Sequence, residues 1–87
     1  METEGIMRLI EAIGLRLDNL IKARGNLTEY ELAKQAGMPR STVWKITHPD
    51  LTKVKTVKLD TVYQLADTLG LNLKEFFDDH LFDDISD

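Results

Sequence analysis

The sequence predicts an all-α fold of five helices. Apolar residues recur three or four positions apart along most of the chain, which is the spacing of one face of a helix. Helix-capping signals precede several of these segments, and a glycine follows three of them. The only strand signal, an alternation of valines and lysines over residues 53–58, is short and weak. At 87 residues the chain has the size of one domain.

The first helix is predicted from Ile6 to Arg24, where isoleucines and leucines form a single apolar stripe. Gly25 follows at the place where a left-handed C-terminal cap is expected. Gly14 lies inside the stripe although glycine lowers helix propensity. Its position therefore indicates a close approach between this helix and another one.

The second helix is predicted to begin after Thr28. Thr28 and Glu31 have the spacing of a capping box, in which each side chain bonds the other residue's backbone N–H. Gly37 is expected to end the helix, because a left-handed backbone is cheap only for glycine.

The third helix is predicted to start at Pro39 or Arg40 and to end near Thr47, since His48 precedes Pro49 and the residue before a proline avoids helical backbone angles. Its apolar residues occupy one side of the helix. Residues with helical spacing on the opposite side are Ser41, Trp44, Lys45 and His48.

Beyond a loop at residues 48–58, a fourth helix is predicted from Asp60 to Leu69. A fifth helix should begin at Asn72, which forms a capping box with Glu75, and run through Phe77. Residues 78–87 form an acidic C-terminal tail, so the domain proper is assigned to residues 1–77. Apolar residues continue at four-residue spacing into the tail. Whether the tail extends the helix, joins the core, forms a dimer contact or frays is left open by the sequence.

Charge is distributed unevenly along the chain. The formal net charge is −4. Residues 1–30 carry −1, residues 31–58 carry +4, and residues 59–87 carry −7. Positive charge is therefore concentrated in the middle third, where a surface facing phosphates is expected.

The chain lacks the residues that several classes of functional site require. The chain has no cysteine and two histidines, which argues against a zinc site. The acidic tail lacks the spacing and the glycine of an EF-hand calcium loop. No catalytic constellation or glycine-rich phosphate loop is present, so neither an enzyme nor a cofactor is expected. The N-terminus predicts neither a signal peptide nor a membrane span, which favours a cytoplasmic protein.

The chain resembles the Cro-like, XRE-type helix-turn-helix family of bacterial and phage regulators over about residues 13–77. The matching pieces occur in the family's order: Ile13-Gly14, Arg16-Leu17, Leu27-Thr28, Glu31-Leu32-Ala33, Gly37, Ser41-Thr42-Val43, Ile46, Leu59-Asp60-Thr61, Leu65-Ala66, Leu69-Gly70 and Glu75-Phe76-Phe77. The resemblance implies a five-helix, lambda-repressor-like domain. The third helix would then enter the major groove of double-stranded DNA as the recognition helix.

Site residues follow from the resemblance by position. The expected base-contacting residues are Arg40, Ser41, Trp44 and Lys45. The expected phosphate-contacting residues are Thr28, Thr42, Lys53, Lys55 and Lys58. A domain this small offers few base contacts, so a homodimer on a two-fold symmetric site is expected. The resemblance also implies a role as a transcriptional repressor or other regulator.

Two positions depart from the family pattern. Glu29 stands where the family often has a glutamine that contacts a phosphate, and Pro39 stands where it prefers a serine or threonine cap. Trp44 could equally face DNA or pack against the long loop. Two alternatives remain open at this stage: a protein-interaction module that lost DNA binding, and a DNA-binding antitoxin whose acidic tail engages a partner protein.

Overall fold

A computed structural model describes residues 7–50 and 56–85. Within them the chain forms five α-helices and a short 3-10 helix at His80–Phe82. The α-helices are α1 (Leu9–Ala23), α2 (Glu29–Ala36), α3 (Arg40–Thr47), α4 (Leu59–Thr68) and α5 (Leu73–Phe77). The described residues contain no strand, only an isolated parallel bridge between Met7 and Ile85. The prediction of an all-α, five-helix fold is therefore confirmed.

The predicted helix ends agree with the structure to within about three residues. The largest difference is at the start of α1, which begins at Leu9, whereas the predicted start, Ile6, lies outside the described residues. Extended backbone at Arg8 sets this start, and the Arg8 N–H donates to Glu11 Oε1 at 2.9 Å. None of the described helices is both long and apolar enough to cross a membrane.

The turn between α2 and α3 is built from local signals. Thr28 caps α2, since its Oγ1 accepts a hydrogen bond from the Glu31 N–H at 3.1 Å. Gly37 ends α2 in the left-handed region, with φ at 72°, and the Met38 N–H then bonds back to the Ala33 carbonyl at 3.0 Å. A tight turn of this kind places α3 directly against α2.

Of the two predicted capping boxes, only one is complete. Asn72 Oδ1 accepts from the Glu75 N–H at 2.8 Å, and Glu75 Oε1 accepts from the Asn72 N–H at 2.9 Å. At α2 the Glu31 N–H donates to the Thr28 side chain, but the Thr28 N–H does not donate to the Glu31 carboxylate. That part of the prediction was wrong.

α3 lies across α1 with its backbone in direct contact. A Cβ atom built on Gly14 would stand 2.3 Å from the carbonyl oxygen of Ile46, a distance that no side chain tolerates. The expectation that Gly14 marks a close helix approach is confirmed. The core around this crossing consists of buried residues from α1 to α5 and the turn after α4: Ile13, Leu17, Ile21, Leu32, Ala33, Ala36, Val43, Ile46, Val62, Leu65, Ala66, Leu69 and Phe76.

The described part of the acidic tail folds back onto the domain. α5 ends at Phe77, and Asp79 Oδ1 accepts from the Leu81 N–H at 2.9 Å to begin the 3-10 helix. A continuous helix through residue 85, one of the alternatives left by the spacing, is therefore wrong. Phe82 packs edge-to-face on Phe77, with ring centroids 4.9 Å apart.

Arg16 of α1 holds this C-terminal segment in place. Its guanidinium donates to the Phe76 carbonyl at 2.7 Å, to the Glu75 carbonyl at 2.9 Å and to Asp79 Oδ2 at 3.2 Å. The carbonyls at the end of a helix have no partner within the helix. Arg16 therefore caps α5 and neutralises one of the tail carboxylates.

Candidate nucleic-acid interface

The outward side of α3 carries all four residues expected to contact bases. Arg40, Ser41, Trp44 and Lys45 are exposed and line one shallow depression on the surface. We call these four residues the α3 outer face. The opposite side of α3 is buried through Val43 and Ile46, whose contacts with α1 and α2 fix how far the helix projects. A rigid core contact thus presents the outer face to solvent.

The start of α3 leaves backbone donors exposed. Pro39 occupies the N-cap with extended angles, φ −64° and ψ 146°, and offers no side-chain acceptor. The first N–H groups of a helix have no intrahelical partner. At α3 these groups belong to Arg40 and Ser41, and together with the positive end of the helix dipole they suit an anionic oxygen.

The charge of this surface is positive. α3 contains Arg40 and Lys45 and no acidic residue. Neither cation makes an ion pair within the described part of the chain. Both charges therefore remain available to a partner, which is what phosphate and base contacts require.

Two of the expected phosphate-contacting residues, Thr42 and Lys58, lie beside the α3 outer face at Lys45. Thr42 is half-buried and lines a second depression, together with Lys45 and with Lys58 just before α4. Thr28 is exposed at the start of α2 and uses its oxygen as a cap, which leaves its hydroxyl hydrogen free to donate. Lys53 and Lys55 lie outside the described residues.

The Glu29 carboxylate is hydrogen-bonded within the protein. Its Oε2 accepts a hydrogen bond from Thr47 Oγ1 at 2.8 Å. The carboxylate at the start of α2 is therefore tied to the last residue of α3. The sequence identified Thr47 only as the end of the third helix and missed this contact, because the two residues are 18 positions apart and neither pattern nor spacing joins them.

Trp44 is half exposed and stacked. The residue is 48% accessible, and its ring centroid lies 4.4 Å from that of His48 with an angle of 10° between the planes. Positions 44 and 48 are four apart, so helical spacing was a usable signal for this pair. The stack leaves one side of the indole on the α3 outer face.

The sequence profile of the Cro/C1-type HTH DNA-binding domain matches residues 16–80. The chain belongs to this family. No curated protein matches the chain at a significant level. The family resemblance found in the sequence is confirmed, and the matched region contains the whole of α2, α3, α4 and α5.

Membership of the Cro/C1-type family makes this chain a DNA-binding domain, with DNA as its partner. In the vocabulary of the family, α2 and α3 are the two helices of the helix-turn-helix, joined at Gly37. The side of α3 that projects from the core is the side that carries Arg40, Ser41, Trp44 and Lys45.

Proposed function

We propose that this protein is a transcriptional regulator that recognises a specific double-stranded DNA site by placing α3 in the major groove. The observation that carries the proposal is the division of α3 into two sides. One side is fixed against the core by Val43 and Ile46, while the other presents an arginine, a serine, a tryptophan and a lysine to solvent. A helix with this division fits the groove and places side chains against base edges.

Each residue of the α3 outer face has a distinct capacity. Arg40 can donate two parallel hydrogen bonds to O6 and N7 of a guanine. Lys45 can reach the same acceptors or a phosphate, and Ser41 can bond either. The Trp44 ring provides apolar contact to a thymine methyl group. The outer face therefore combines hydrogen-bond and apolar discrimination.

Phosphate contacts would set the position of the domain on the duplex without selecting sequence. Thr42 and Lys58 lie beside the outer face, Thr28 is exposed at the start of α2, and the exposed N–H groups at the starts of α2 and α3 add neutral donors. The Glu29 carboxylate accepts a hydrogen bond from Thr47 within the protein.

The protein acts as a homodimer on a two-fold symmetric site in this proposal. One α3 reads only a few base pairs, so two copies are needed for a site that is rare in a genome. Two-fold symmetry would place the half-sites about one helical turn apart.

The test measures the affinity of the protein for its preferred duplex and for random DNA over a range of salt concentrations. Arg40→Ala should weaken specific binding by about 1–3 kcal/mol and relax the preference at one base pair of each half-site. Lys74→Ala removes an exposed cation on α5 and serves as the control with the same charge change.

An equal loss of affinity for specific and for random DNA in Arg40→Ala would mean that Arg40 contacts a phosphate and not a base. If the wild-type protein bound no DNA in a salt-sensitive manner, the alternative of a protein-interaction module would replace the proposal.

A further inference from the structure

A chain of side-chain contacts runs from the start of α2 to the α3 outer face. The Glu29 carboxylate contacts the Thr47 hydroxyl, that hydroxyl contacts the His48 ring, and the His48 ring stacks on Trp44. Three of these four residues were assigned no role in DNA binding by the sequence. The chain ends on a side chain that the proposed function assigns to base contact.

The direction of each hydrogen bond follows from the groups involved. Three acceptors lie within reach of the Thr47 hydroxyl: Glu29 Oε2 at 2.8 Å, the Trp44 carbonyl at 3.2 Å and the Val43 carbonyl at 3.3 Å. The carboxylate is the nearest and the only charged one, so it takes the single hydroxyl hydrogen. The Thr47 oxygen then accepts from His48 Nδ1, at 2.9 Å. The Trp44 carbonyl also only accepts, and it lies 3.2 Å from the same Nδ1. His48 therefore carries a hydrogen on Nδ1 and donates it to both oxygens.

These bonds matter because His48 lies outside the helix. Its backbone, at φ −128° and ψ 64°, has left the helical region, so the regular geometry of α3 does not determine where the ring lies. The two bonds of Nδ1 restrict the ring to the plane in which it meets the indole. An exposed tryptophan would otherwise exchange between side-chain rotamers.

We propose that Glu29, Thr47 and His48 act as positioning residues that hold Trp44 in one orientation on the α3 outer face, and thereby set the base preference at the position that Trp44 contacts. The proposal rests on the proposed function for its consequence on DNA. Its structural part, the restraint of the indole, belongs to the free protein and is testable there.

The position of Glu29 gains a role in this arrangement. A carboxylate at the first residue of α2 is unfavourable beside DNA, but it polarises the Thr47 hydroxyl more strongly than a neutral acceptor would. Glu29→Gln keeps an oxygen that accepts from Thr47 and removes the charge. This variant should therefore restrain Trp44 less than the wild type does, and Glu29→Ala should loosen it further.

The first experiment uses the fluorescence of the free protein. Trp44 is the only tryptophan in the chain, so time-resolved anisotropy of indole emission reports on this side chain alone. Thr47→Val keeps the branched shape and removes the hydroxyl, and it should increase the amplitude of fast indole motion. Thr47→Ser restores a hydroxyl and should restore the wild-type anisotropy.

The chain offers a matched control at the end of another helix. Thr68 is the last residue of α4, as Thr47 is the last of α3, and its hydroxyl donates to the Gln64 carbonyl at 2.8 Å. Thr68→Val makes the same chemical change away from Trp44 and should leave the anisotropy unchanged. If Thr68→Val increased the indole motion as much as Thr47→Val does, the effect would come from a general loosening of the fold. That result would overturn the proposal.

A double variant tests whether Thr47 acts through His48. His48→Ala removes the stack outright and should raise the fast motion of Trp44 at least as much as Thr47→Val. The variant with both changes should show no more motion than His48→Ala alone, because residues in one pathway are not additive. Additive effects would mean that Thr47 does not act through His48 and would overturn the proposed order of contacts.

The second experiment measures discrimination on DNA. The ratio of dissociation constants for the preferred site and for a site altered at the base pair nearest Trp44 should fall roughly two- to tenfold in Thr47→Val, the size expected for one aromatic contact. Thr47→Ser and Thr68→Val should keep the wild-type ratio. An unchanged ratio in Thr47→Val despite increased indole motion would overturn the effect on base preference.

The two experiments separate this proposal from the proposed function. Indole motion that does not respond to Thr47→Val refutes the positioning chain even if the protein binds a specific site. A response of the indole in a protein that binds no DNA supports the restraint of Trp44 but overturns both its effect on base preference and the proposed function.

Discussion

Gly14→Ala tests how the position of α3 depends on its contact with α1. The new Cβ would stand 2.3 Å from the Ile46 carbonyl oxygen, whereas contacts below 3.0 Å are essentially absent from proteins. One helix must therefore move by at least about 0.7 Å, the difference between these two distances. Both atoms belong to rigid helical segments, so a side-chain rotation cannot relieve the clash.

The expected loss of stability combines two opposing effects. Overpacking of a well-packed core costs about 1–3 kcal/mol, and contact with backbone places this case near 3. Replacing glycine by alanine inside a helix returns about 1 kcal/mol of helix propensity. The net destabilisation is therefore about 2 kcal/mol, which corresponds to a fall in the melting temperature of roughly 8–16 °C for a domain of this size.

Urea unfolding followed by far-ultraviolet circular dichroism measures this loss as a lower midpoint at an unchanged slope. Asn19→Ala, at an exposed position of α1, adds helix propensity without a new contact and should be neutral or slightly stabilising. DNA affinity, measured where the variant is fully folded, should also fall, because the shift between α1 and α3 changes the position of the α3 outer face relative to the rest of the domain. A Gly14→Ala protein with wild-type stability and wild-type affinity would refute the argument that this contact positions α3.

Three further predictions concern the surroundings of the site. Lys58→Ala should weaken binding to all DNA sequences similarly and lower the slope of log affinity against log salt by about one unit, since Lys58 is exposed beside α3; a loss confined to one sequence would contradict this role. Arg16→Ala should destabilise the fold by about 2–3 kcal/mol in urea unfolding, because charge-assisted bonds to the end of α5 are lost, with base preference retained; a change in preference would link the C-terminal segment to DNA reading. Asn72→Ala should cost about 1 kcal/mol through loss of the α5 cap, and an unchanged unfolding midpoint would show that the cap is dispensable.

The helix-turn-helix was predictable because its signals are local. The Thr28 cap, the left-handed turn at Gly37 and the end of α3 before Pro49 each depend on residues adjacent in sequence. Gly14 was also interpretable, since a glycine in a strong helical stripe needs a packing reason. The division of α3 into a buried and an exposed side followed from helical spacing alone.

Features that depend on distant contacts were not predictable. The apolar spacing after Phe77 allowed a longer helix, but Arg16, about 60 positions away, binds the last carbonyls of α5 and Asp79 starts a different turn. Glu29 was identified only as a departure from the family pattern, because nothing in the sequence connects it with Thr47. In both cases a side-chain hydrogen bond formed only in the folded state decides the local structure.

Selection of bound fragments from a random pool of duplex DNA is the most direct test of the claim that the α3 outer face selects sequence. The account predicts an enriched site with two-fold symmetry and half-sites about one helical turn apart. The same selection with Arg40→Ala should yield a site that has lost its preference at one base pair of each half-site. A pool that shows no enrichment with the wild-type protein, or an identical enriched site with Arg40→Ala, would contradict the account.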